Sequence, residues 1–105
     1  MTAEEYFKTY YNYALKTTFW MDFTIADRFG VDAIKDTYHR AFNDWKCNHE
    51  YLTELVLILN HKSWQWSEKN SDICQAYIDA YEEAYEWGLD NLKGEELTYF
   101  IKTLD

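Results

Sequence analysis

Residues 51–64 read YLTELVLILNHKSW, and Leu55–Leu59 at their centre is the longest strongly apolar run in the chain. With Leu52 added, apolar side chains point almost all the way round a helix, the pattern of a helix buried among others. The run falls far short of the ~20 residues a membrane span needs. Asn48, whose side chain can accept the first unpaired amides, is placed to cap this helix. The fold turns on what surrounds it.

Upstream, Asp32 is a second N-cap, and Ile34, Tyr38, Ala41, Phe42 and Trp45 recur with the period of a helix. Gly30 suits the left-handed residue that closes a preceding helix. That helix is expected over Phe19 to Phe29, with Phe19, Phe23 and Ala26 on one side and Met21, Ile25 and Phe29 on another. A further helix is expected from Thr2, where Thr2 and Glu5 form a capping-box pair ahead of Ala3, Phe7, Tyr10 and Ala14.

Downstream, SEKNS at residues 67–71 reads as a turn. The next stripe is Ile73, Ala76, Tyr77, Ala80, Tyr81 and Ala84, whose alanines would let a neighbour approach closely. The helix is expected to end or kink between Gly88 and Gly94, and a last one places Leu97, Phe100, Ile101 and Leu104 inward. There is no Asn-Gly or Asp-Gly turn, no sustained period-two alternation and no proline. The expected fold is all-α: one domain over residues 1–105, a bundle of five or six helices with an apolar central helix.

Composition narrows the function classes. The net charge of −9 is concentrated from Asp72 onward, a segment carrying −7, so the field would repel nucleic acid and anionic membranes and attract basic surfaces. Five Trp, ten Tyr and six Phe exceed what so small a core hides, so some are expected at an interface. Cys47 and Cys74 are too few for a disulfide scaffold, and MTAEEYFKTYYNYA lacks the basic and apolar regions of a signal peptide. A cytoplasmic, soluble chain is expected.

Motifs for chemistry are weak. Ile25-Ala26-Asp27-Arg28-Phe29-Gly30-Val31 resembles the first half of a helix-turn-helix, with Ile25, Ala26, Gly30 and Val31 in the turn positions. The second half departs from it: Asp36 stands where an apolar residue belongs, and charges between Asp27 and Lys46 cancel. A plain helical corner is the simpler reading. Cys47, His49, His61 and Cys74 lack the tight pair spacing of a structural zinc site, and the Asp36–His39 pair lacks a second arm. No metal or cofactor is expected. Ser63, Ser67 and Ser71 lie outside any nucleophile elbow, and no glycine-rich phosphate loop exists, so the chain reads as a non-enzyme.

Two surfaces remain. Asp79, Glu82, Glu83, Glu86 and Asp90 stack charge along about three turns, either for solubility or as an imitation of nucleic-acid phosphates. Trp64 and Trp66, beside His61 and Lys62, are types that dominate protein interfaces.

IADRFGVDAIKDTYHRAFNDWK (25–46), YLTELVLILNHKSW (51–64) and NLKGEELTYF (91–100), about half the chain, resemble uncharacterised small acidic proteins of gut anaerobes often carried on mobile elements. That resemblance implies a bacterial or phage-like accessory role and carries no fold, activity or site residue. Three functions stand in order. The first is a non-catalytic protein–protein interaction module forming a homodimer through exposed aromatics. An acidic nucleic-acid mimic inhibiting a basic DNA-binding or defence protein is second, and a DNA-binding helix-turn-helix over Thr24 to Arg40 is third.

Overall fold

The computed structural model describes residues 2, 19–45, 48–66 and 71–104. The described residues form five α-helices and no strand: α1 Phe19–Phe29, α2 Asp32–Trp45, α3 His49–Trp66, α4 Ser71–Asn91 and α5 Gly94–Leu104. The helix expected from Thr2 to Ala14, Cys47 and most of the 67–71 turn lie outside the described residues.

Local chemistry accounts for the boundaries. Gly30, at φ 91°, closes α1 by donating its amide to Ala26 O at 2.9 Å, the left-handed cap that a side chain would strain. α2 starts two residues on, at Asp32, and α3 starts directly after Asn48, whose carbonyl accepts the Leu52 amide. α4 differs from the sequence expectation. It runs unbroken through Gly88 to Asn91, so Gly88 is no helix end. A Cβ built at Gly88 would meet Phe100 Cζ at 2.5 Å, so this glycine lets a buried ring lie on the helix backbone. Gly88 thereby extends the small-residue row Ala76, Ala80, Ala84, and all four are buried.

Contacts fix the directions. Lys35–Asp79, His39–Glu83 and Phe42–Trp87 advance together, so α2 and α4 run the same way. Cys74 reaches back to Ser63 and His49 meets Trp87, so α3 runs against α4. α5 folds back on the second half of α4 through Phe100, which meets Tyr85 and Gly88. One core joins all five helices, with Ile25, Ile34, Leu52, Leu55, Val56, Leu59, Tyr77 and Phe100 fully buried.

Leu57 and Ile101 differ from expectation. On α3, Ile58 packs half-buried against the core but Leu57 is 39% exposed, so its apolar residues do not all face inward. Ile101, expected inward, is exposed, because α5 meets the bundle along Leu97, Phe100 and Leu104. On α1 the inward row is Asp22, Ile25, Ala26 and Phe29, and Phe23 faces outward.

Candidate functional site

The inward row of α1 carries a carboxylate at a core position. Asp22 is 0% exposed and lies one turn before Ile25. On α3 the row Leu52, Leu55, Val56, Leu59 continues one turn to Lys62, which is 4% exposed. These opposite charges meet inside the bundle, with Lys62 Nζ 2.5 Å from Asp22 Oδ2. Tyr38 of α2 and Tyr77 of α4, both buried, complete the group.

Asp22 is the common acceptor. Tyr77 donates its hydroxyl to Oδ2 at 2.8 Å, and Tyr38 donates to Oδ1 at 3.2 Å, with Oδ2 at 3.4 Å. Lys62 Nζ also donates to the Tyr38 hydroxyl oxygen at 2.5 Å. The ammonium lies 5.2 Å from the Tyr38 ring centre and 5.8 Å from that of Tyr77, and the rings meet edge to face. Cation–π attraction and charge-assisted hydrogen bonds thus hold one lysine and one aspartate from four helices' worth of side chains.

Burial sets the proton affinities. It pushes the Tyr38 and Tyr77 hydroxyls well above the ordinary phenol range, and the Asp22 charge adds to the effect. Burial lowers Lys62 from its ordinary value, against the opposing pull of Asp22. Charges this deeply enclosed cost several kcal/mol each to desolvate and persist only when matched. The group is enclosed by the helices that carry it, which suits a structural centre better than a reacting one.

The sequence-derived surfaces fall elsewhere. The five acidic residues lie on α4, as spaced, but they do not form one uniform ridge. Lys35 of α2 approaches Asp79 at 3.7 Å, and His39 Nδ1 lies 2.8 Å from Glu83 Oε2. Gln75 also donates to Asp79 at 2.8 Å. The positive charge that α4 itself lacks comes from Lys35 of the neighbouring helix. Glu82, Glu86 and Asp90 are exposed.

Trp64 is 78% exposed at the end of α3, on the same outward row as Leu57 and His61. The Trp66 side chain lies outside the described residues. In the α1–α2 corner, Ile25 is buried, Ala26 and Val31 are half-buried, and Gly30 makes the turn. The outward row of α2 is Asp32, Asp36, Arg40 and Asn43, of mixed charge, and Tyr38 and Phe42 are committed to the core.

The histidines take separate partners: His39 with Glu83, His49 with Glu96, and His61 with Gln65. Cys74 is buried, its thiol directed at Ser63 O. Among the described residues no three His, Cys, Asp or Glu side chains gather as a metal ion would require, and no helix is long and apolar enough to cross a membrane.

These features define an all-helical bundle organised round a buried ion pair. No family model, characterised protein or solved structure matches the chain.

Proposed function

We propose that this chain is a small, non-catalytic protein–protein interaction module that self-associates through the outward face of α3. The observation that carries this reading is Trp64, 78% exposed, with Leu57 two turns earlier at 39%. Trp is over-represented among residues that dominate binding energy, and Leu57 adds apolar surface on the same face. The helix that presents Trp64 is anchored on its other side by Leu52, Leu55, Val56, Leu59 and Lys62. Its apolar central role in the bundle is part of this proposal: a well-held helix loses little freedom when its face is covered.

The setting proposed is the bacterial cytoplasm, in an accessory role of the kind carried on mobile elements. Sedimentation equilibrium of the wild type and of Trp64→Glu tests the function. The wild type is expected to form dimers in the micromolar range, and Trp64→Glu to weaken association at least tenfold with an unchanged helical spectrum. A wild-type chain that stays monomeric at about 0.5 mM contradicts the reading, since weaker association falls outside the ordinary range of specific dimers.

A second reading is supported by the exposed acids Glu82, Glu86 and Asp90, which recur every four residues on α4. They offer a negative row to a basic protein. Reversing all three to Lys should abolish salt-sensitive binding to such a protein; unchanged binding would dismiss the reading.

A further inference from the structure

Tyr38, Lys62 and Tyr77 stand on three successive helices, α2, α3 and α4, and two rings and one hydroxyl of that unit meet the Lys62 ammonium. The ammonium sits between two tyrosine rings and donates to the Tyr38 hydroxyl oxygen, interactions that do not involve α1. α2 and α3 also pack directly on α4, through the contacts that fix their directions, and on each other. α1 is attached differently. It joins α2 through the short Gly30–Val31 turn, and its Asp22 carboxylate bonds side chains of both α3 and α4.

Three convergent donors, one of them cationic, are the components of a site for a carboxylate group: two oxygens, each with lone pairs to fill, and one negative charge to balance. Asp22 fills it from within the chain, with Oδ2 receiving Lys62 and Tyr77 and Oδ1 receiving Tyr38.

We propose that Tyr38, Lys62 and Tyr77 form a carboxylate receptor built by α2, α3 and α4, that Asp22 is its internal ligand, and that a small monocarboxylate occupies the receptor when the Asp22 side chain is removed. The space left by the missing carboxylate group is lined by the same three donors. Formate or acetate brings the charge and both oxygens. Chloride brings charge alone, with no second acceptor for the tyrosines.

The experiment uses the full chain carrying Asp22→Ala, with thermal unfolding followed in sodium acetate, sodium formate and sodium chloride at equal ionic strength. Acetate and formate are expected to raise the midpoint as the logarithm of their concentration, by roughly 5–10 °C at ten times the dissociation constant, and well above any rise in chloride. The double variant Asp22→Ala/Lys62→Met should lose the carboxylate-specific rise. Equal responses to acetate and chloride, or a rise that survives loss of Lys62, overturn the proposal.

Asp22→Ala that has no cooperative transition in chloride is dialysed into acetate. Recovery of a cooperative transition supports the receptor, and a chain unfolded in both overturns it, because a receptor held by three helices must stand without Asp22. Asp22→Asn gives an independent check. Its amide fills the space without the charge, so acetate is expected to add no more than chloride, and an acetate-specific rise in that variant overturns the assignment of the site.

Discussion

Lys62→Met keeps the stem of the side chain and removes the ammonium, so the Asp22 carboxylate stays buried without the charge that now faces it. Removing one member of a buried pair costs about 3–5 kcal/mol, and urea unfolding of the variant should read a loss in that range. Tyr77→Phe deletes one hydrogen bond to a charged acceptor and is expected to cost about 1.5–3 kcal/mol. Thr37 offers the opposite sign. Its hydroxyl is buried with no hydrogen-bond partner among the described residues, so Thr37→Val, of the same shape, should stabilise by about 1 kcal/mol. A destabilised Thr37→Val would place an unseen partner at that hydroxyl. The tyrosines add a pH dependence. Tyr38 and Tyr77 are raised above 10.0 in the folded chain, so their contribution is complete below pH 10 and is lost as pH rises beyond it. Lys62, lowered from 10.5, works the other way: the unfolded chain holds that proton more tightly, so its contribution grows as pH climbs towards 10.5. Above pH 10.5 the lysine is neutral in both states and only the raised phenols still differ, so stability should fall there. Tyrosinate absorbance should show these two phenols ionising only as the helical signal is lost.

The contact between Gly88 and Phe100 belongs to the pairing of α4 with α5. Gly88→Ala improves intrinsic helix propensity by about 1 kcal/mol, yet its Cβ would lie 2.5 Å from Phe100 Cζ. The ring has to move, and a net loss of roughly 1–3 kcal/mol is expected in thermal unfolding, recovered in part by Phe100→Leu in the same chain. The sequence leaves this pairing illegible, since a glycine near a helix end reads as a stop and Phe100 lies twelve residues away. Gly30 is the contrast: followed at once by Asp32, an N-cap, it is a stop, and both helix boundaries there follow from local chemistry. Periodicity located the stripes of α2 and α4 because their inward residues are apolar, Ile34, Tyr38, Ala41 and Phe42 on one and Ile73, Ala76, Tyr77, Ala80 and Ala84 on the other. The same rule hid the buried pair. It assigns Asp22 and Lys62 to solvent by type, although Asp22 continues the row Ile25, Ala26, Phe29 and Lys62 continues Leu52, Leu55, Leu59. Two charges of opposite sign, each one turn beyond an apolar row, were the available signal.

At the scale of the molecule, four helices contribute side chains to one ion pair, and a fifth is held by Phe100. Surface charge is arranged round this frame: Lys35 and His39 of α2 face Asp79 and Glu83 of α4, and Glu82, Glu86 and Asp90 remain outward. An exposed ion pair such as Lys35–Asp79 adds at most about 1 kcal/mol, so screening it with salt should change stability little. The enclosed pair is the term that decides whether the helices share one centre. A double-mutant cycle on Asp22→Leu and Lys62→Met, read by urea unfolding, measures it directly. The expected result is two single variants each losing about 3–5 kcal/mol and a double variant far more stable than their sum implies, because it leaves no unmatched charge. Losses that simply add would mean that Asp22 and Lys62 do not meet inside the folded chain, and would contradict the account.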